Sequence, residues 1–252
     1  MSVVQGFSLS TFFGDIRSFI FGGIQVFPMA IGGALLILGL MTANYAVLFF
    51  LIAYLIIVPG MAYGLNLIVD SLTVHFEFMH NWFKVRQSDI CGLVIPFRDT
   101  ISVASPSELS TVFNTPWLSM TVFFLGYMMS NAIALHKIDS AKLPKGAPEE
   151  LKTSTVEKIA KRKVQSTISI GLIILVAILL IGSRLKYSGC ETIGGVIWTS
   201  IIYGWFGFGW YSMLAKIGQE RLSDLFGIAN RLLSPYAVSN EPVACFPVVG
   251  KN

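Results

Sequence analysis

Charged residues are scarce in this chain. Asp, Glu, Lys and Arg make up 13% of its 252 residues, hydrophobic residues make up 54%, and no charged residue occurs between Ser18 and Val69. The mean hydropathy of +0.69 reflects more apolar side chain than a soluble domain of this length buries in its core. The composition therefore excludes an ordinary soluble globular protein and predicts that lipid solvates much of the chain.

Cysteine and histidine are also rare, with three residues of each. The cysteines are Cys91, Cys190 and Cys245. They have none of the paired spacings of a zinc site. His75, Glu77 and His80 follow an i, i+2, i+5 pattern, which does not place both imidazoles on one helix face as a zinc-binding helix requires. The pattern favours histidines at a wet aromatic interface over metal ligands, and no metal or cofactor is predicted.

Five apolar segments of roughly membrane-crossing length predict the fold class: an all-α integral membrane protein, a bundle of about five transmembrane helices. The segments are residues 20–41, 45–69, 117–135, 167–182 and 193–214. A tight turn over residues 41–44 joins the first two into a hairpin. The N-terminus lacks the basic start and the cleavage site of a secretory signal peptide, so the first span is expected to stay as an anchor.

The spans divide the chain into four regions. Residues 1–69 are predicted to form an interfacial lead and a transmembrane hairpin, 70–116 an interfacial cap on the outer face, 117–214 a three-helix membrane unit with a basic inner loop at 136–163, and 215–252 an amphipathic helix with an extended tail. The candidate interface residues are Trp82, Lys84 and Arg86 in the cap, Lys158, Lys161, Arg162 and Lys163 in the loop, and Leu222, Leu225 and Phe226 in the tail.

The distribution of basic residues predicts which face of the membrane each region occupies. The inner loop holds eight Lys or Arg and the tail holds four, so one face carries twelve of the eighteen. By the positive-inside rule the C-terminus lies on the cytoplasmic face or its equivalent, and the cap lies on the other. Cys91 and Cys190 then share the outer side, where an oxidising compartment would allow a disulfide between them; two separate buried thiols are the alternative.

Two short polar motifs flank the third and fourth spans. Ser183-Arg184 is followed after five residues by Cys190 and after three more by Gly194, and Pro106-Ser107-Glu108-Leu109 precedes the third span. Their order and spacing, over residues 105–214, resemble the third and second signatures of the type 2 phosphatidic acid phosphatase family. The resemblance implies a membrane bundle in which both motifs meet at one face.

The catalytic residues of that family are missing at the matching positions. Its signatures carry one histidine as nucleophile, another as general acid, and an acidic residue that orients the nucleophile. Here Cys190 and Gly194 take the places of the nucleophile and the orienting acid, and Glu108 stands near the missing general acid. The first signature has only Lys84, with Cys91 in place of an arginine. These departures favour a catalytically silent protein.

If the protein were an enzyme, the resemblance would place its site at Cys190, Arg184, Glu108 and Ser107. A cysteine nucleophile would need a lowered pKa, which the neighbouring Arg184 or Lys186 would have to supply. This is the alternative to a silent bundle.

Transport is the second alternative. Because no charge lies in the middle of a predicted span and the five spans do not form two similar halves, the pattern counts against a carrier. Asn66 and Asp70 could line a path, but capping or headgroup contact is their commoner role. The basic inner loop could bind acidic phospholipid or nucleic acid. Topology alone explains it, and no specific nucleic acid partner is predicted.

A second resemblance concerns the order of short features along the chain. They are Pro96-Phe97 in a Cys-bearing loop, Ser105-Pro106-Ser107, Arg184 with Gly189-Cys190, residues 204–211, and Cys245-Phe246-Pro247 in the tail. This order is similar to integral proteins of the inner virion membrane of nucleocytoplasmic large DNA viruses. The similarity implies a place beneath a capsid, with the lipid bilayer and proteins of a larger assembly as partners. The function predicted is structural anchoring of a membrane to such an assembly.

Overall fold

The bundle begins with a long apolar helix that ends in a capped turn. The computed structural model describes residues 9–76, 82, 85–86, 111–137, 149–188, 191–218 and 225. Helix α1 spans Leu9–Thr42, and Ala43 after it adopts a left-handed backbone with φ of 47°. The Asn44 side chain then accepts a hydrogen bond from the Ala46 amide at 3.0 Å. This satisfies an amide at the start of the next helix. The chain turns within the predicted residues 41–44, but Met41 and Thr42 still belong to α1.

The second leg of the hairpin is one continuous rod with a wider turn in its middle. Helix α2 spans Tyr45–Ile52, a π-helical turn spans Ala53–Ile57, and helix α3 spans Val58–His75. Pro59 has no backbone N–H and its ring crowds the preceding turn. The wider turn accommodates the ring, because there the Val58 amide reaches back to the Ala53 carbonyl. The predicted span 45–69 is helical throughout, and α3 continues past it.

Three further helices complete the described bundle. Helix α4 spans Pro116–Lys137, α5 spans Glu149–Ser183 and continues as a π-helical turn over Arg184–Ser188, and α6 spans Ile193–Gly218. Helix α4 lies at the centre: it packs most extensively on α6 and also contacts α5, α3 and α1. In the apolar window of α4, 67% of the residues are buried, against 11% in α5. Helix α5 is therefore peripheral.

Four of these helices are long and apolar enough to cross a membrane. The crossing segments are Gly22–Thr42, Tyr45–Thr73, Pro116–Lys137 and Lys163–Lys186. The prediction of an all-α integral membrane bundle is confirmed. The second, third and fourth predicted spans fall within these segments, and the first, residues 20–41, overlaps Gly22–Thr42. The fifth, residues 193–214, lies in the 26-residue helix α6, which at about 39 Å is as long as a membrane crossing requires. Its crossing stays a prediction.

Two details differ from the regions drawn from sequence. Because α5 starts at Glu149, the second half of the predicted inner loop 136–163 is helical. The predicted cap contains two short strands, β1 at Val85–Arg86 and β2 at Thr111–Val112, which pair antiparallel. This ladder brings the chain before α4 alongside the earlier part of the cap.

Glycines let the backbones of α4 and α6 touch. A Cβ atom added at Gly126 would lie 2.6 Å from the Gly204 carbonyl oxygen, and one added at Gly207 would overlap the Phe123 carbonyl oxygen. Small residues at such a contact allow the close van der Waals packing that holds helices together in lipid. Aromatic rings extend the contact: the ring centroids of Phe123 and Phe206 are 5.3 Å apart. The α4 and α6 pair is therefore the rigid centre of the bundle.

We predict that Gly126→Ala will destabilise the protein by about 1–3 kcal/mol, the usual cost of overpacking a close contact. The free energy of unfolding in mixed detergent micelles measures this loss. The matched control is Gly209→Ala, since an added Cβ there has no atom within 4 Å and alanine favours the helix. Equal stability of the two variants would contradict the close approach of α4 and α6.

Candidate functional site

The start of α4 is capped by a residue that also reaches α6. Thr115 precedes Pro116, the first residue of the helix, and proline suits that position because its missing N–H would have no helical partner. The Thr115 hydroxyl oxygen accepts a hydrogen bond from the Leu118 amide at 3.2 Å, as a threonine N-cap does. Its hydroxyl proton is donated to Glu191, so one side chain both caps α4 and contacts the chain before α6.

Glu191 forms a buried ion pair with Arg184. A guanidinium nitrogen of Arg184 lies 3.6 Å from a Glu191 carboxylate oxygen, and the two side chains are 4% and 1% exposed. Arg184 opens the π-helical turn that follows α5, and Glu191 precedes the first turn of α6, where Thr192 caps the helix through the Gly195 amide at 3.0 Å. The pair therefore joins the end of α5 to the start of α6.

Trp117 completes the enclosure of Arg184. The guanidinium carbon of Arg184 lies 4.6 Å from the centroid of the Trp117 ring, a cation–π geometry. The indole N–H of Trp117 donates to the Ile24 carbonyl of α1 at 2.9 Å. That carbonyl is open because Pro28, four residues later, has no N–H to donate to it. A proline in α1 thus creates the acceptor that holds the tryptophan over the arginine.

Two asparagines extend the hydrogen-bond network at this end of the bundle to α3. The Asn66 side-chain oxygen accepts from the backbone amides of Phe113 and Asn114 at 3.0 and 3.1 Å, and its amide donates to the Asn114 carbonyl at 3.0 Å. The Asn114 side chain donates in turn to the Tyr203 hydroxyl on α6 at 3.2 Å. These hydrogen bonds fix the residues before α4, whose backbone N–H and C=O groups have no partners within a helix.

We call the set Thr115, Trp117, Arg184 and Glu191, with Asn66, Asn114 and Tyr203, the polar cluster. Burial raises the pKa of Glu191 from 4.5 to about 7, and this desolvation outweighs the hydrogen bond from Thr115 and the positive charge of Arg184, which both lower it. Within the described ranges, no group of three or more His, Cys, Asp or Glu side chains could hold a metal ion. The polar cluster is suited to joining helices.

The structure describes Arg184 alone of the four residues expected for an enzyme site. Ser107, Glu108 and Cys190 lie outside the described residues, as does Cys91, so the predicted disulfide and the Cys190 site stay predictions. The acidic partner that Arg184 has here is Glu191.

The predicted interface residues differ in how exposed they are. Trp82 is exposed, Arg86 lies in β1, and Lys161 and Lys163 are exposed on α5. Lys158 and Arg162 also lie in α5. Leu225 is fully buried in the core of this chain, and its carbonyl accepts from the Asn44 side chain at 3.4 Å. Lys84, Leu222 and Phe226 lie outside the described residues.

Most of the polar cluster was missed in the sequence analysis. Asn66 was considered only as a path-lining or capping residue, and Thr115, Trp117 and Glu191 were not assigned a role. One signal pointed to the pair: Arg184 and Glu191 are opposite charges seven residues apart between two apolar spans, where an ionised group needs a partner. A second was Thr115-Pro116, a cap followed by a first-turn proline.

No family model, no curated protein and no solved structure matches this chain.

We predict that Glu191→Leu will destabilise the protein by about 3–5 kcal/mol, because it leaves the buried Arg184 charge without its carboxylate. The double variant Arg184→Met/Glu191→Leu will recover most of that loss, since both charges are then absent. Unfolding in mixed micelles measures the double variant and the two single variants, Glu191→Leu and Arg184→Met, with the exposed Lys163→Met as control. A double variant whose loss equals the sum of the two single losses would show that the charges are not coupled.

We predict that stability will fall as the pH rises from about 4.5 to about 7. Within this window the folded state holds the Glu191 proton more tightly than the unfolded state, since burial raises its pKa. Glu191→Gln, which has no proton to lose there, will show a flatter profile. Thermal unfolding midpoints at a series of pH values measure the two slopes, and identical slopes would exclude Glu191 as their source.

Proposed function

We propose that this is a structural integral membrane protein, without phosphatase activity, that anchors protein partners to a lipid bilayer. The observation that carries the proposal is the enclosure of Arg184. Its guanidinium is nearly fully buried, faces the Glu191 carboxylate and is covered by the Trp117 ring. An arginine that recognises phosphate must direct its N–H groups at the incoming anion, and here the guanidinium is buried with one terminal nitrogen already facing the Glu191 carboxylate.

The enclosed pair also weakens the case for a cysteine nucleophile. A reactive cysteine needs a nearby positive charge that stabilises its thiolate. Arg184 is one of the two cations near Cys190 in the sequence, and its charge is balanced by Glu191. An ion pair has a much weaker field than an isolated cation, so the activation that the enzyme alternative requires would depend on Lys186.

The packing of the bundle supports an anchoring role. Backbones of α4 and α6 touch at glycines, and the polar cluster links α1, α3, α4 and α6 with the end of α5 at one end of the bundle. Because side-chain contacts join each of these helices to α4 or to the residues just before it, a force applied to one helix is transmitted to the others. A rigid body of this kind suits attachment more than the opening and closing that transport requires.

The proposed partners are soluble proteins that attach at the two faces of the membrane. The predicted cap at residues 70–116 and the predicted tail at residues 215–252 are expected on opposite faces of the membrane, and we assign the attachment of soluble proteins to them. The tail is assigned to the positive-inside face because of its basic residues. A virion inner membrane beneath a capsid is the assembly that the second resemblance suggests.

We predict that the purified full chain will release no phosphate from phosphatidic acid or a prenyl diphosphate above the level of a Cys190→Ser variant. A malachite-green assay in detergent and in vesicles measures this, with a known lipid phosphatase as positive control. Cross-linking in the native membrane will recover soluble partners in fixed proportion to the chain. Phosphate release that disappears in Cys190→Ser would overturn the proposal.

A further inference from the structure

Leu225 follows the last helix in the chain but belongs to the core of the bundle. It lies seven residues after Gly218, where α6 ends, and its side chain is fully buried. It belongs to the same core cluster as Val47 of α2 and Leu214 of α6. Its backbone carbonyl accepts a hydrogen bond from the Asn44 side-chain amide at 3.4 Å. The chain therefore returns to the α1–α2 turn after it leaves α6.

The α1–α2 turn is held in shape by its own hydrogen bonds. The Asn44 backbone amide donates to the Gly39 carbonyl at 3.0 Å, which satisfies a carbonyl at the end of α1. The Asn44 side-chain oxygen caps α2 through the Ala46 amide, and the side-chain nitrogen of the same residue donates to Leu225. One asparagine thus joins the start of α2 to the chain that follows α6.

Helix α6 runs parallel to α4 along the bundle. At one end, Thr115 before α4 donates to Glu191 before α6. Farther along α4, the Tyr127 ring lies 5.4 Å, centroid to centroid, from the Tyr211 ring near the end of α6. Because the contacts advance in the same direction along both helices, α6 ends at the end of the bundle opposite the polar cluster.

The second leg of the hairpin runs in the opposite direction. Phe50, near the start of α2, has its ring centroid 4.9 Å from that of Tyr127, whereas Asn66 in α3 binds Asn114 just before α4. The α1–α2 turn therefore lies at the same end of the bundle as the last turn of α6. Seven residues of extended chain reach at most about 25 Å, and α6 is about 39 Å long, so Leu225 returns to the near end.

We propose that the α1–α2 turn is the docking site of the chain's own C-terminal segment, with Leu225 as the anchor. We call the connection from Gly218 to Leu225 the C-terminal strap. It fastens the N-terminal hairpin to α6 at one end of the bundle, as the polar cluster does at the other. A segment of the same chain suits this site because the short connection makes docking intramolecular and keeps the local concentration of Leu225 high.

The strap would also join the tail to the hairpin. In the anchoring role proposed above, a partner bound to the tail would act on α1 and α2 as well as on α6, because Leu225 lies between them. That consequence rests on the proposed function. The strap itself does not, and its test involves no partner.

Hydrogen–deuterium exchange of the full chain in lipid nanodiscs tests the strap from both sides. Leu225→Ala removes most of the anchor, and peptides covering residues 39–52 will exchange about tenfold faster or more, since a buried leucine is lost. Asn44→Asp keeps an oxygen that caps α2 but cannot donate to Leu225. The peptide that contains residue 225 will exchange about fivefold faster in it, the effect of one hydrogen bond.

Two control variants separate the strap from a general loss of stability. Leu180→Ala truncates a buried leucine of α5, and Ile217→Ala truncates an exposed side chain in the last turn of α6. With exchange expressed relative to the middle of α4, both controls will leave residues 39–52 at the rate of the unmodified protein.

Three results would overturn the proposal. They are an unchanged rate at residues 39–52 in Leu225→Ala, an equal rise there in Leu180→Ala, and protection of residue 225 that is lost on dilution. The last would show that the tail of a second copy occupies the turn. If Leu225→Ala does not fold, Asn44→Asp decides, and an unchanged rate at residue 225 in that variant overturns the proposal.

Discussion

The buried ion pair between Arg184 and Glu191 fixes the arrangement of one end of this bundle. Arg184 opens the π-helical turn after α5 and Glu191 precedes α6, and neither charge is stable in a buried place without the other. Thr115 donates to the same carboxylate while capping α4. The positions of three helix ends are thus linked by one ion pair, and a shift of any of them would leave a buried charge or an open helix end.

The polar cluster holds the helices together at one end of the bundle, and close packing holds them together in the middle. Lipid is as apolar as the helix surfaces, so burial of leucine or valine does little to bring helices together, and packing and hydrogen bonds must do more. At the middle of the bundle, glycines bring α4 and α6 into backbone contact. At the end, Pro28 frees the Ile24 carbonyl for Trp117, whose ring then lies against Arg184. Local irregularities of α1 and α5 therefore provide contacts that regular helices could not make.

Helix positions could be predicted because each depends on its own stretch of sequence. The long uncharged runs define the spans, and the turn at Asn44 follows from the sequence next to it. The polar cluster could not be predicted in the same way, since Asn66, Thr115 and Glu191 are far apart in the chain and meet only after the helices have packed. The extent of α5 was also missed, because Lys and Glu residues at its start suit a solvated helix as well as a loop.

Side chains of the polar cluster, and not regular helix, hold the segment before α4. The amides of Phe113, Asn114 and Leu118 are bonded to the side chains of Asn66 and Thr115. Hydrogen–deuterium exchange of the full chain in lipid nanodiscs tests this most directly. We expect peptides covering residues 111–118 to exchange as slowly as the middle of α4 and to become fast in Asn66→Ala. Exchange at the rate of an open loop in the unmodified protein would contradict it.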